Sequence, residues 1–233
     1  MQTLTLRPFL QTSQVILRPI EKKDLNAYQT LFQDTTAMRL HAGGPRDITK
    51  RFHNWIQRWD IHPYSALAIT DKVSKKVIGH AILGHGDYEN NPYKGFSEIA
   101  IILAPSYWNT QYGDPKSGIG TAKKAHVGTE VIRTLINYAK SLKELAYKVP
   151  CDVTEKQQEA LERLCSNNKE WQVHKNRDGK IDWIYLPLKE IRATCDKANT
   201  AAHKIFHKVF VEENKGTVKP FGKERDLFTI SLK

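Results

Sequence analysis

The chain has 233 residues, is 40% hydrophobic and carries a formal net charge of +11 at pH 7. This length and apolar content suffice for a sizeable core, arranged as one domain or as one domain with an insertion. The 3 cysteines show no CxxC spacing and cannot all pair, which argues against a disulfide framework or a structural zinc site and favours a reducing cytoplasm. The N-terminal MQTLTLRPFL has no long apolar segment, and no 18 consecutive residues are apolar, so we expect a soluble cytoplasmic protein without a membrane span.

The positive charge indicates an anionic partner: a phosphorylated cofactor, an acidic substrate or nucleic acid. Residues 147–188 hold seven basic and seven acidic residues, so the whole excess lies outside them. No block of like charge resembles a nucleic-acid-binding arm, and a solvated surface accounts for part of the excess. Nucleic acid is therefore not the partner we expect.

The first half of the chain alternates between strand and helix signals. Apolar residues at 25, 28, 31 and 32 have helical spacing, whereas FSEIAIIL is strongly β-prone. The predicted elements are a strand at 14–20, helices at 21–34 and 48–60, and strands at 65–71, 76–87 and 96–103.

The second half continues this alternation. The predicted elements are helices at 129–142 and 151–167, a hairpin at 171–188, a strand at 189–196, a helix at 198–210 and a final strand at 226–232. Thr154 with Gln157 forms a capping-box pattern, and Asp178-Gly179 favours the hairpin turn. This order predicts an α/β (α+β) fold with helices on a mixed sheet. The neutral segment 147–188, a helix plus a hairpin, is a candidate insertion.

A glycine-rich stretch, QYGDPKSGIGTAKKAHVGTE, separates the strand at 96–103 from the helix that follows. Glycines at a strand-to-helix junction allow the backbone to approach a phosphate group, and the first N–H groups of the helix then bind it. The stretch is longer than a phosphate loop requires.

Six segments follow one another along the chain: VILRPIEKKDL, KVIGHAIL, SEIAIILAPSYWNTQYG, GTEVIRTLINYA, IRATCDKANTAAHKIFHKVF and ERDLFTISL. Taken in this order, they resemble the GNAT acyltransferase superfamily and are most similar to its ribosomal-protein N-acetyltransferase (RimJ/RimL-type) branch. The resemblance implies a mostly antiparallel twisted sheet flanked by helices in a single domain over 1–233. It also implies transfer of an acetyl group from acetyl-CoA to a primary amine, on a protein N-terminus or a small molecule, without a metal.

The resemblance also implies which residues bind acetyl-CoA. The end of the 96–103 strand would pair with the pantetheine arm, the glycine loop would hold the pyrophosphate, and an asparagine would contact pantetheine. These residues are Ile101, Ile102, Leu103, Tyr112, Gly113, Gly118, Gly120, Gly128, Thr129 and Asn199. Asn199 is equally well explained as the N-cap of the late helix.

Glu98 is the candidate general base. An amine is protonated at neutral pH and must lose a proton before it attacks, and a carboxylate in the strand EIAIIL is otherwise an anomaly. The alternative is an ordinary solvent-facing residue, since alternation turns a strand position away from the core about half the time. Phe206 departs from the superfamily, where a tyrosine often protonates the departing thiolate, so solvent or a substitute such as His203 would supply that proton.

Two interpretations of the glycine loop remain. In the first, residues 114–128 are an inserted excursion between Gly113 and Thr129, and Lys116, Lys123 and Lys124 approach the CoA phosphates. In the second, residues 117–120 form the cradle and the helix starts at Thr121. The close match of both flanks favours the first.

Two alternatives to an enzyme also follow from the sequence. The loop is interrupted, and Asn109, Gln111 and Phe206 depart from the residues of the superfamily. These features are compatible with a non-catalytic GNAT-fold protein that binds CoA or a partner. A basic nucleic-acid-binding protein would use the cations at 116–126. We expect the 147–188 insertion to cover the acceptor cleft or to form a homodimer contact.

Overall fold

The structure is a computed structural model that describes residues 8–41, 43–59, 65–85, 95–108, 126–142, 144–149, 153–210, 213–219 and 222–232. Its larger sheet has eight strands, ordered β1-β2-β3-β4-β5-β9-β11-β10. These are β1 (Leu10–Gln11), β2 (Val15–Pro19), β3 (Ala66–Asp71), β4 (Val77–His85), β5 (Phe96–Leu103), β9 (Glu190–Asp196), β10 (Glu213–Val218) and β11 (Arg225–Ser231). All neighbours are antiparallel except β5 and β9, which are parallel.

Helices cover both faces of this sheet. The helices of the large-sheet layer are α1 (Leu25–Gln33), α2 (Thr35–Met38), α3 (Thr49–Arg58), α4 (Val127–Leu142) and α6 (Thr200–Val209). Side chains alternate along each strand, so Ile102 of β5 joins the core beneath α1–α3, whereas Ile101 and Leu103 pack into the core beneath α4 and α6. The apolar residues of each helix face the sheet, as Leu31 and Phe32 do in α1.

Strand β2 and the turn that precedes α1 are joined by a bidentate ion pair. Arg18 Nη1 donates to Asp24 Oδ2 at 2.8 Å, and Arg18 Nη2 donates to Asp24 Oδ1 at 2.9 Å. Asp24 also accepts the Glu21 N–H at 2.9 Å, which caps the turn before α1. The Leu-Arg and Asp positions of the VILRPIEKKDL segment therefore have a structural role, since this geometry suits a buried carboxylate.

A second sheet lies within the segment between α4 and β9. It has three strands, ordered β6-β8-β7, with β6 (Glu144–Lys148), β7 (Gln172–Lys175) and β8 (Ile181–Pro187), and helix α5 (Glu155–Asn167) contacts β8. The predicted capping box of α5 is present between Thr154 and Gln157, and Gly179 adopts φ +74° in the predicted turn. Ile184 and Leu186 are buried in the same cluster as Leu135 of α4, so the second sheet shares the main core.

The fold class predicted from the sequence is confirmed, and so are the main helices and strands. Four elements were not predicted from the sequence: the short elements β1 and α2, the polar strand β10 and the strand β6. A segment boundary at residue 147 would divide β6, so the second sheet is more than the predicted helix and hairpin. No helix within the described ranges is long and apolar enough to cross a membrane.

Candidate active site

The central feature of the site is a gap between β5 and β9. The two parallel strands pair only at Phe96↔Glu190, Ser97↔Ile191 and Glu98↔Arg192. Beyond these three pairs, the rest of β5 pairs with β4 alone. The remainder of the β5 edge therefore offers backbone groups to a ligand, in the way that a sheet edge accepts an added strand.

The register between β4 and β5 decides which backbone groups face this gap. Ala104 N–H donates to Ile78 O at 2.9 Å, and successive residues of a strand direct their backbone groups to opposite sides. The groups of Ile102 therefore point toward β4, and those of Ile101 and Leu103 point toward the gap. The Leu103 carbonyl accepts a hydrogen bond from Trp108 Nε1 at 2.8 Å, so the groups of Ile101 and the Leu103 N–H are the ones that face the gap. This arrangement does not favour the pantetheine contact predicted for the Ile102 backbone.

Glu98 lies at the last paired position, where the gap begins. Its side chain is partly buried, and it faces the α1–α3 side of the sheet, as Ile102 does. Burial raises the pKa of Glu98 to about 7, while Arg225, a hydrogen bond from Thr194 and Arg192 oppose that rise. Thr194 Oγ1 lies 3.5 Å from Glu98 Oε1. A carboxyl that titrates near neutral pH beside an open strand edge is suited to general-base chemistry.

The start of α4 lies on the opposite face, next to the gap. Helix α4 begins at Val127, two residues before the predicted start, and His126 has φ +76°. A helix that starts at Thr121 would therefore be interrupted at His126. The first N–H groups of α4 have no partner within the helix and are available to an anion.

Gly128 and Thr129, both predicted to bind the cofactor, are buried in the first turn of α4. A Cβ on Gly128 would lie 3.0 Å from Ile205 Cδ1 and 3.6 Å from Ile101 Cδ1. Close packing of α4 against α6 and β5 therefore explains this glycine. The other predicted loop residues lie outside the described ranges: Tyr112, Gly113, Lys116, Gly118, Gly120, Lys123 and Lys124.

Asn199 and Phe206 lie on α6. The Asn199 side chain accepts the Ala202 N–H at 3.0 Å, so it is the N-cap of α6, as the second interpretation of this residue predicts. Phe206 is 5% exposed and packs against Phe210 and Phe228, so no proton donor stands at this position. His203 Nε2 lies 3.2 Å from Asp226 Oδ2 of β11, the strand on the far side of β9 from the gap.

Two residues near Glu98 were not identified from the sequence. Thr194 is a neighbour of Glu98 across the β5–β9 opening, and Arg225 donates from Nε to Thr194 Oγ1 at 3.3 Å. The only sequence signal was a charged residue immediately before the predicted final strand. Within the described ranges, no three His, Cys, Asp or Glu side chains are grouped as a metal site.

A mostly antiparallel sheet with helices on both faces, which opens between two parallel strands beside a carboxylate, is the GNAT acyltransferase fold. Residues 14–115, from before β2 to beyond β5, match the family model described as the acetyltransferase (GNAT) domain. A search among curated protein sequences finds no match to this chain.

Several solved structures share the fold across nearly their whole length. The acetyltransferase (GNAT family) from Bacillus anthracis is 13% identical with a TM-score of 0.58, and the match covers 97% of this chain and 99% of that one. The ribosomal-protein-S5-alanine acetyltransferase from Vibrio fischeri is 11% identical with a TM-score of 0.52, covering 97% of each chain. The spermidine N-acetyltransferase from Vibrio cholerae, in complex with CoA and spermine, is 18% identical with a TM-score of 0.50, covering 95% and 97%.

Proposed function

We propose that this protein is an acetyl-CoA-dependent N-acetyltransferase that acetylates a primary amine, with Glu98 as the general base. One observation carries the proposal. The β5–β9 ladder ends at Glu98↔Arg192, so the backbone groups of Ile101, which pair with no strand of the described residues, and a carboxyl with a pKa near 7 lie at the same opening. The match to the acetyltransferase (GNAT) domain and the similar structure that contains CoA support this assignment.

The residues of the opening would serve both to bind acetyl-CoA and to deprotonate the acceptor amine. The Ile101 backbone groups would pair with the pantetheine amides, and its N–H would polarise the thioester carbonyl. The N–H groups at the start of α4 would bind the pyrophosphate. Bound acetyl-CoA would supply the activated acyl group. The protein then has to position the amine and remove its proton.

Glu98 would take one proton from the ammonium group of the acceptor, directly or through water. The neutral nitrogen then attacks the thioester carbonyl carbon, a C–N bond forms, the nitrogen releases its second proton to solvent, and the C–S bond breaks. Because Phe206 has no ionisable proton, we assign protonation of the departing thiolate to solvent, which is compatible with a thiol pKa of about 8.5. An α-amine has a pKa of about 7.7–8.0, close to that of Glu98, so proton transfer from a peptide N-terminus is nearly balanced. The RimJ/RimL-type resemblance makes such a terminus the first acceptor to test.

The predicted role of the second sheet, a cover for the acceptor cleft or a homodimer contact, stays a proposal. Because its apolar residues belong to the main core, deletion of the segment would damage the fold. Val173 of β7 is 41% exposed. Val173→Asp would disrupt a dimer contact at this edge, as light scattering would detect, without opening the core.

The proposed function is tested by adding acetyl-CoA to the purified protein and following two quantities. The first is the thermal unfolding midpoint, which rises if the cofactor binds the folded state. The second is CoA thiol release with a panel of N-terminal peptides and small amines. A raised midpoint without thiol release from any amine would support the non-catalytic alternative. Absence of both effects would refute the proposal.

A further inference from the structure

A chain of hydrogen bonds connects Glu98 to the loop between α2 and α3. Thr194 Oγ1 lies 3.5 Å from Glu98 Oε1, and Arg225 Nε donates to the same Thr194 oxygen at 3.3 Å. Arg225 Nη1 then donates to the Leu40 carbonyl at 3.0 Å. The Leu40 carbonyl of the α2–α3 loop, described at residues 39–41 and 43–48, is thereby connected to the candidate base.

Arg225 places a buried positive charge at this position. It is 6% exposed, and the three hydrogen bonds that it donates within the described part of the chain go to uncharged groups, namely the hydroxyl and carbonyl of Thr194 and the carbonyl of Leu40. Burial lowers the pKa of Arg225, although Cys195, Asp196 and Glu98 favour its charged form. A buried cation without a paired carboxylate is costly, so such a group usually has a charged partner.

Arg46 adds a second cation from the loop itself. Its guanidinium lies over the Phe32 ring, 5.7 Å from the centroid, and its buried Nε has no hydrogen-bond partner among the described residues. A Cβ on Gly43 would lie 1.3 Å from Arg46 Nη1, so the absence of a side chain at Gly43 makes room for this guanidinium.

The positive charges of these arginines act on one histidine, His41. Burial, together with smaller effects of charge repulsion from Arg46, Arg225 and Arg51, lowers the pKa of His41 to about 4. The carboxylate of the loop, Asp47, is exposed and accepts hydrogen bonds from the Thr49 N–H and hydroxyl at 2.9 and 2.7 Å. Positive charge therefore surrounds His41, and one of its sources, Arg225, also acts on Glu98.

We propose that the acceptor is an α-amine that carries a carboxylate close to the amine, and that Arg46 and Arg225 bind this carboxylate. The proposal rests on the N-acetyltransferase function above and names its substrate class. An amino acid and an acidic peptide N-terminus share this chemistry. A polyamine does not, because three or more positive charges would enter a site that already contains uncompensated arginines.

Matched acceptors test this proposal. Three peptides that differ only at the second residue, Ala-Glu, Ala-Gln and Ala-Lys followed by the same uncharged sequence, are compared with free alanine and with spermine by CoA thiol release. We expect kcat/KM to fall in the order Glu, Gln, Lys, with about tenfold or more between the first and the last, or about 1.4 kcal/mol. The difference should shrink as salt is raised. Free alanine as the best acceptor would indicate an amino-acid substrate, whereas the Ala-Glu peptide would indicate an acidic N-terminus.

Two variants test whether Arg46 is responsible for the preference for an anionic acceptor. Arg46→Gln removes its charge, and Gly43→Ala keeps the charge but displaces the guanidinium. Both should reduce the ratio of kcat/KM between the Ala-Glu and Ala-Gln peptides toward one, largely through KM. Lys156→Gln, on the exposed surface of α5, is the matched control and should leave the ratio unchanged. Thermal unfolding of each variant establishes that it is folded.

The outcomes separate the substrate class from the function. Acetyl transfer that favours spermine or the Ala-Lys peptide would overturn the anionic acceptor and leave the N-acetyltransferase function intact. A ratio unchanged by both loop variants would also overturn it. If acetyl-CoA neither binds nor releases thiol with any acceptor, both proposals fail.

Discussion

The two faces of the large sheet are filled differently. The face toward α4 and α6 is lined by apolar side chains such as Ile99, Ile191 and Phe228, which are almost fully buried. The opposite face is apolar beneath α1–α3 but carries Glu98 and Arg225 where β5 and β9 separate. Because side chains alternate along each strand, neighbouring residues face opposite sides of the sheet. One of them packs in the apolar core, and the next is a candidate for catalysis. Substitutions at neighbouring residues can therefore separate the two.

The largest expected effect is on catalysis, at the polar face. Glu98→Gln should lower kcat/KM by about 10²- to 10⁴-fold, because the amine loses its proton acceptor. The acetyl-CoA-induced rise in the unfolding midpoint should remain. Ser97→Ala is the control on the adjacent, opposite-facing residue, whose hydroxyl donates to the Gly84 carbonyl at 2.8 Å. The Ser97→Ala substitution should reduce the free energy of unfolding but leave kcat/KM unchanged. A Gln variant that keeps more than a tenth of the activity would remove Glu98 from the mechanism.

The next effect is on stability, at the apolar face. Leu135 of α4 is fully buried, and Leu135→Ala should lower the free energy of unfolding by about 2–5 kcal/mol, as measured by urea denaturation. The kcat of the folded variant should stay close to that of the wild type. Asn137→Ala, an exposed position on the same helix, is the control. A large loss of kcat without a loss of stability would show that the two faces are not separable.

Glu98 should also leave a signature in the pH dependence of stability. Its pKa is raised from 4.5 to about 7 on folding, so between these values the folded state binds more protons than the unfolded state. Stability contributed by this group is complete below pH 4.5 and is lost as the pH rises through about 7. Glu98→Gln should therefore be more stable than the wild type at pH 8, by roughly 1–3 kcal/mol, and about equal to it near pH 4. Urea denaturation at the two pH values measures this, and a constant difference would contradict the raised pKa.

The smallest effect is expected in the second sheet. Thr154→Ala removes the side-chain oxygen that caps α5 and should cost about 1 kcal/mol. Because this helix packs on β8 of the second sheet, the substitution should not change kcat/KM. Thr154→Ser keeps the hydroxyl and serves as the control. An altered acceptor preference in the Ala variant would instead place α5 near the acceptor.

Local sequence was sufficient for most of the fold and for part of the site. Strand β5 was predicted with its observed bounds, since isoleucine and phenylalanine, which favour strands, make up half of it, and Glu98 was identified as the candidate base because a carboxylate interrupts its apolar run. Strand β10, with the polar sequence ENKGTV, was missed because it has no period-two apolar pattern.

The rest of the site depends on strand pairing between distant parts of the chain. Arg225 approaches Glu98 only because β11 pairs with β9, and β9 pairs with β5. The direction of the Ile101 and Ile102 backbone groups likewise depends on the register of β5 against β4. The apolar periodicity of one segment shows neither which strands pair nor the register in which they pair.

The three-pair junction of β5 and β9 also divides the large sheet into two hydrogen-bonded halves that meet at one corner. The amide of Ile102 is held within the β4–β5 ladder, whereas the amide of its neighbour Ile101 faces the opening. In deuterated solvent, Ile102 should retain its proton long after Ile101 has exchanged. A pantetheine arm that occupies the opening would form hydrogen bonds with both halves of the sheet. Cofactor binding would therefore slow deuterium uptake at one amide in the middle of β5, that of Ile101.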